Sequence, residues 1–501
     1  MKRLLIIVAA TALLTACGKQ IPKTFSESDE LPRIYPDYTN VTIPINMAPL
    51  TFEADGKADG IVARLTAGQM EVIAGGTKVQ PDADDWKKLA ESAKGNAIKV
   101  EVYIQSKKQW TRFRPFDIYV SPDSIDPYIS YRLIAPSYVT YRDLTISQRC
   151  IENYDERVIY DNMLCMEPAK GQCINCHNYQ QYNPDRMQFH ARQHLGGTVI
   201  AYDGKVKKIN MTSDSILSAG IYPAWHPWLP LIVYSTNKTV QTFHITNADK
   251  IEVYDTESDL IAYNVKNNEV TNIENDPTEF EVFPFWAPDG KTLYYCSAHF
   301  EFKDTIDPGL ELIQRFREVK YDIYKKSFNP ETYQFGEREL VFDAASTDMS
   351  ATLPRVSPDG QYLMFALGKY GVFHIWHSDA NLWMIDLKTG QAREMKELNS
   401  PDVESYHSWS SNGRWVVFSS RRNDGNYTRP FFAHIDKQGH GTKPFELPCA
   451  DPDYHRQFLR SYNIPEFMHG PVTISPQAFA DALKGSGEPV KYVPRLTNNT
   501  R

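Results

Sequence analysis

Three residues within five positions carry the most specific chemistry in the chain: Cys173, Cys176 and His177, in "GQCINCHNYQ" (171–180). On a helix, positions i, i+3 and i+4 share a face. Two thiols and one imidazole then project together, the thiols to bond the vinyl groups of a haem and His177 to bind its iron. No proline falls between Cys173 and Asn183, and Pro184 would end such a helix. The expectation is one covalently bound haem c. For the sixth iron ligand, Met187, His190 and His194 fall at helical spacing. His190 would make a bis-histidine, low-potential site, and Met187 would raise the potential; His190 is preferred. His226, in "AWHP", is a further candidate. Two other chemistries compete for these cysteines. A thioredoxin-like Cys173–Cys176 pair lacks its usual βαβ context. A zinc site of Cys150, Cys165, Cys173 and Cys176 has spacings of 15, 8 and 3, unlike paired C-x2-C ribbons. Cys150 and Cys165 are instead a candidate disulfide near the site. Cys296, in "LYYCS", reads as a buried free thiol, and Cys449 has no obvious partner.

The compartment decides whether such a centre can form. Lys2 and Arg3 precede an apolar run of eleven residues, Leu4 to Leu14. That is too short for a membrane-spanning helix of about 20 residues and matches the core of a secretory signal. Leu14-Thr15-Ala16-Cys17 resembles the bacterial lipobox, in which the chain is cut before the cysteine and its thiol receives a diacylglycerol. The resemblance implies a signal peptide over 1–16, a lipid on Cys17 and a polar tether over 17–38. The expected place is the bacterial cell envelope, on the outer membrane facing the periplasm, where the medium is oxidising. A net charge of −8 without a basic patch argues against nucleic acid as a partner.

The elements that must hold these residues read as β-strands. Residues 39–145 contain short runs such as "GIVARLT" and "AIKVEVYIQS", with alternation through Lys99-Val100-Glu101-Val102-Tyr103-Ile104. One helix, around "DDWKKLAESA", interrupts them, and a β-sandwich is expected. Residues 146–195 form the expected helical, cysteine-rich haem segment. Over 196–446 a repeat emerges: "PAWHPWLPLIVYS" (223–235), "PFWAPDGKTLYYCS" (284–297), "PRVSPDGQYLMFA" (354–366) and "HSWSSNGRWVVFSS" (407–420). In Ala287-Pro288-Asp289-Gly290 and Ser357-Pro358-Asp359-Gly360, proline presets the turn and glycine closes it. One such unit cannot bury its own faces, so units pack around an axis as a β-propeller. A degenerate unit is expected at 196–210, and "GPVTIS" (470–475) as a closing strand. Residues 447–501 make a C-terminal extension whose helix, "SPQAFADALKG", has Ser475 as cap and Gly485 as stop.

These repeats resemble the PD40, or TolB-type, class of WD40-like propellers, which implies five or six blades. The chain departs from TolB, which begins with an α/β domain and is not lipidated, so Tol–Pal partners are not implied. The whole arrangement is similar to uncharacterised Bacteroidetes envelope lipoproteins that join a CxxCH segment to a TolB-like propeller. That likeness implies electron transfer, or a haem-bearing propeller docking on a redox partner. The alternative is a protein–protein interaction scaffold of the envelope without redox activity. No G-x-S-x-G occurs, and the roughly 55 residues after the propeller cannot hold a hydrolase domain. No catalytic residue is assigned, and a haem redox activity stays open.

Overall fold

The computed structural model describes residues 20–135, 142, 144–165, 167, 170–245, 249–303 and 307–496. Cys17 and the signal peptide lie outside the described residues. The chain divides into two compact units. One comprises Met1–Ile125, Ile151–Tyr154 and Thr442–Phe458; the other comprises Asp126–Cys150, Asp155–Gly441 and Leu459–Arg501. Among the described residues no helix is long and apolar enough to cross a membrane.

The first unit is built on one mixed sheet. Its strands run in the order Ser26–Glu27, Gln109–Arg112, Ala97–Ser106, Gly60–Ala67, Met70–Gly76, with Phe116–Ser121 and Thr42–Pro44 attached. The helix Ala83–Ser92 packs against it. Asp82 caps that helix by accepting from the amides of Asp84 and Asp85, and Trp86, Leu89 and Ala90 form its buried face. The Trp86 indole N–H reaches the Met47 carbonyl at 2.9 Å. The expected sandwich is therefore corrected: among the described residues of this unit, only the two-stranded pair Ile34–Tyr35 and Glu53–Ala54 accompanies the main sheet. Alternation reports that one face of a strand is buried and is silent on whether a helix or a sheet covers it. Ser26–Glu27 and Ile34–Tyr35 also draw part of the expected tether into the unit's strands.

The second unit is almost all β, in a propeller-like arrangement. Six strands follow one another around a ring: Gln172–Gln180, Gly220–Trp225, Glu279–Trp286, Ser350–Val356, Glu404–Trp409 and Ser461–Met468. Each opens an antiparallel meander leading outward. The second and third meanders share a sheet through a single parallel pair, Ser258 with Phe280. The last inner strand, Ser461–Met468, pairs with Tyr128–Ile134, beyond which lie Thr145–Cys150 and Glu156–Asp161. Chain from before and after the other meanders thus closes the ring.

Three expectations are corrected here. Residues 470–475 form no strand; closure comes from Ser461–Met468, whose sequence lacks the repeat's Pro-Asp-Gly turn. Residues 196–210 are not a separate unit. They supply the outer strands Gly197–Tyr202 and Lys205–Asn210 of a meander that starts with Gln172–Gln180 and Asn183–Gln193. Among its described residues the cysteine-rich segment is therefore strand and connecting loop, with no α-helix and one 3-10 turn at Asn162–Leu164. Five residues cannot distinguish a helical from an extended period, and ring packing decides. The helix Pro476–Lys484, capped by Ser475, packs Phe479, Ala480 and Leu483 with Ile159, Tyr160 and Phe189.

Candidate functional site: the axial channel

All six inner strands carry the same bulge. At that point the register with the neighbouring strand slips, as between Asn175 and Asn178 or between Val282 and Phe285. One residue in each strand is left-handed: Cys176 (φ 54°), Tyr222 (48°), Phe283 (52°), Leu353 (58°), Tyr406 (48°) and Ile464 (53°). Left-handed residues other than glycine are uncommon, so their recurrence at one position is a property of the ring. The following residues are His177, Pro223, Pro284, Pro354, His407 and Pro465. The next are Asn178, Ala224, Phe285, Arg355, Ser408 and Glu466, and then Tyr179, Trp225, Trp286, Val356, Trp409 and Phe467.

These layers enclose three cavities along the ring axis. The first, about 200 Å³, lies among Cys173, Cys176, Arg132, Arg192, Tyr222 and Tyr406. The second, about 20 Å³, is bordered by Cys176, His177, Arg355 and Glu466. The third, about 120 Å³, is lined by Asn178, Arg355 and Glu466 together with Trp225, Trp286 and Trp409.

Charge is concentrated at the centre. Asn178 Nδ2 donates to Glu466 Oε1 at 2.7 Å. Glu466 Oε2 is buried without a hydrogen bond and lies 3.7 Å from His177 Nε2. Burial raises the Glu466 pKa to about 7, opposed by Arg355 and Asn178. Burial lowers that of Arg355, whose guanidinium lies 4.7 Å from the Phe285 ring centre. Burial, with a contribution from Arg132, lowers His177 to about 3. Its imidazole is therefore neutral near pH 7, with neither ring nitrogen in a well-formed hydrogen bond. In the first cavity Arg132 Nη1 donates to the Ile174 carbonyl at 2.9 Å and Nη2 to Asn463 Oδ1 at 3.3 Å. Its Nε is buried and has no partner.

This arrangement does not fit a c-type haem. Cys173 lines the first cavity and His177 the second, with Cys176 bordering both, so the two thiols and the imidazole do not all converge on one space. A volume of about 200 Å³ is also below the roughly 300–1,000 Å³ of pockets that enclose drug-sized ligands. The ring accounts for two of the three motif residues. Cys176 takes the left-handed position held elsewhere by Tyr, Phe, Leu or Ile, and His177 the position held by proline or histidine.

The other expected site residues are dispersed. Met187 and His190, an odd number of residues apart on the strand Asn183–Gln193, face opposite sides. Met187 is fully buried in an apolar cluster with Tyr160 and Phe189. His190 Nδ1 lies 3.1 Å from Thr198 Oγ1, and burial lowers its pKa to about 3. His194 contacts Glu167 at 3.1 Å. His226 is a turn residue: Nε2 meets the Gly290 carbonyl at 2.9 Å, and Nδ1 accepts from the amides of Trp228 and Leu229. Cys150 and Cys165 are both free thiols, which corrects the expected disulfide. Cys165 Sγ instead lies 2.9 Å from the Tyr160 hydroxyl. Among the described residues no group of three or more His, Cys, Asp or Glu is placed to hold a metal ion.

No family profile matches the sequence, and no curated protein matches it. Solved structures similar in fold include TolB from Acinetobacter baumannii, at 13% identity over 77% of this chain and 85% of that one, with a TM-score of 0.43. Kuenenia stuttgartiensis hydrazine synthase aligns at 9% identity over 70% of this chain and 48% of that one, with a TM-score of 0.40. A DUF4784 family protein from Bacteroides caccae aligns at 8% identity over 83% and 97%, with a TM-score of 0.29. The propeller-like arrangement rests on the strand order above, and these likenesses add no argument to it.

Arg132, Arg192, Arg355 and Glu466 were not among the expected site residues. A signal for two of them exists: "LPRV" and "IPEF" place a charge directly after the repeat proline, where "YPAW" and "FPFW" place Ala and Phe.

Proposed function

We propose that the protein is a binding scaffold of the bacterial cell envelope, held on a membrane by a lipid at Cys17. In this reading the six meanders act as propeller blades, and the axial channel receives a carboxylate-bearing segment of a partner protein. The cavity beside Arg132 and Arg192, with an unsatisfied Arg132 Nε, carries the proposal. A guanidinium with a free N–H is a fitting partner for a carboxylate. Peptides with free C-termini, compared with their amidated forms by fluorescence anisotropy, test it. The free acids are expected to bind, and the double variant Arg132→Gln/Arg192→Gln to weaken them at least tenfold. Equal binding of the amides, or by the double variant, would overturn the reading.

Anchoring has its own test. Labelled fatty acid fed to cells is expected to enter the wild type and not Cys17→Ala; an unlabelled wild type removes the anchor from the proposal. A haem-based redox role stands outside this reading because Cys173 and His177 open on different cavities. Protein made alongside a cytochrome c maturation system is accordingly expected to give no pyridine haemochrome spectrum after denaturation. Covalent haem lost in Cys173→Ala/Cys176→Ala would replace the scaffold with an electron-transfer role.

A further inference from the structure

In the first unit, far along the chain from the CxxCH strand, "FELPCADPDYHRQ" folds three reactive side chains together. Cys449 Sγ lies 3.5 Å from His455 Nε2, and His455 Nδ1 lies 2.6 Å from Glu446 Oε1. The order thiol, imidazole, carboxylate uses both ring nitrogens. The carboxylate orients the ring and holds its Nδ1 proton, which leaves Nε2 to take the proton of the thiol. The framework is fixed from outside: the Thr51 hydroxyl donates to the Cys449 carbonyl and the Tyr38 hydroxyl to the Glu446 carbonyl. Glu446 and His455 are each 3% exposed and Cys449 is 8% exposed, beside the exposed Ala450 and Asp451. Cys449 is thus the most exposed residue of the trio.

We propose that Cys449 is a nucleophilic thiol, activated by His455 and positioned through Glu446, that exchanges with low-molecular-weight disulfides. The Cys449 thiolate attacks one sulfur of R–S–S–R. A new Cys449–S–S–R bond forms and the old S–S bond breaks. The departing thiolate takes the proton from the His455 imidazolium and leaves as R–SH. Cys449 is oxidised to the disulfide level and one sulfur of the reagent is reduced, so no further oxidant is required. Burial alone lowers the pKa of the imidazole, but the charges of Cys449 and Glu446 raise it to about 9, which agrees with a thiolate–imidazolium pair. Two tyrosines are titratable neighbours of these residues: Tyr38, with Cys449 and Glu446 both among the influences on its hydroxyl, and Tyr454, whose ring centre lies 5.5 Å from that of His455.

The test uses the full chain with glutathione disulfide, followed by intact mass and peptide mapping between about pH 5 and 9. Cys449 is expected to be modified in the native state, with a rate changing less than threefold between about pH 6 and 8. An ordinary thiol changes roughly tenfold per pH unit below its pKa of about 8.5. His455→Gln is expected to slow the reaction at least tenfold at pH 6 and restore the steep dependence, and Glu446→Gln to do so partially. Reaction rates in denaturant should be equal for all variants, and circular dichroism should show that each remains folded. Native Cys449 that stays unmodified while denatured protein reacts, or a folded His455→Gln with the wild-type pH profile, would overturn the proposal.

Discussion

Gly290 has φ of 58°, and a Cβ there would lie 2.4 Å from the Trp228 ring and 2.8 Å from His226. Gly290→Ala therefore combines left-handed strain with overlap at a ring-packed turn. It is expected to cost about 1–3 kcal/mol, read as a lowered urea midpoint. His177 invites the opposite substitution. Four of the six inner strands carry proline directly after the left-handed residue, so His177→Pro is expected to fold with a loss within about 1 kcal/mol. A larger loss in thermal unfolding would mean that the imidazole has a role the other strands do not need. The CxxCH residues show what a sequence can and cannot disclose at this scale. Their types were legible, but the chemistry assigned to them assumed a helix, and a bulged strand sends Cys173 and His177 to different spaces. The Cys449–His455–Glu446 trio was invisible for a related reason: residues 446–455 pass from a two-residue strand through a loop into a four-residue helix, too short a run of each for any periodicity to show convergence.

The propeller-like elements were the most legible, since their turns repeat with Trp225, Trp286, Val356 and Trp409 in register. Strands without that turn were missed, and so the ring's first and last inner strands were misplaced. Residues 239–259, which lengthen the spacing between the first two repeats, are largely the extension of one long hairpin, Leu231–Phe243 with Ile251–Asn264. Its outer part is pinned by Glu252 Oε2 to His377 Nε2 at 2.7 Å, both residues being 0% exposed. Burial lowers the pKa of His377, but Glu252 outweighs this, with Asp249 and Asp379 adding, and raises it above the usual value of 6.5. A raised folded pKa stabilises fully below the unfolded value and fades as pH rises through the folded one. Exchange of the Ile251–Tyr254 amides, corrected for intrinsic rates, is therefore expected to speed up as pH rises past about 6.5. Glu252→Ala should abolish that dependence and cost about 3–5 kcal/mol, as removing one partner of a buried pair does.

Over the whole molecule the balance of buried charge sets the pH response. Glu281 is 1% exposed, and neither carboxylate oxygen has a hydrogen-bond partner. Burial first, then Glu274, Asp259, Glu279 and Asp276, raise its pKa from 4.5 to about 9. The native carboxyl is protonated where the unfolded one is ionised, so its contribution is full below pH 4.5 and is lost up to about pH 9. Each pH unit in that window removes on the order of 1.4 kcal/mol. Glu281→Gln is expected to gain on the wild type progressively from pH 5 to pH 9 in denaturant titrations. A gap independent of pH would mean that Glu281 is ionised in the native protein.

Ring closure has a consequence in time. Tyr128–Ile134 leaves the ribosome more than 300 residues before its partner Ser461–Met468. Through the whole interval it has one edge without a hydrogen-bonding neighbour, and such edges recruit whatever strand arrives first. A second nascent copy offers the same Ser461–Met468 sequence, so two chains delivered side by side can each latch the other's ring. Crowded synthesis should therefore yield interlocked dimers, and slow or dilute synthesis closed monomers of identical composition.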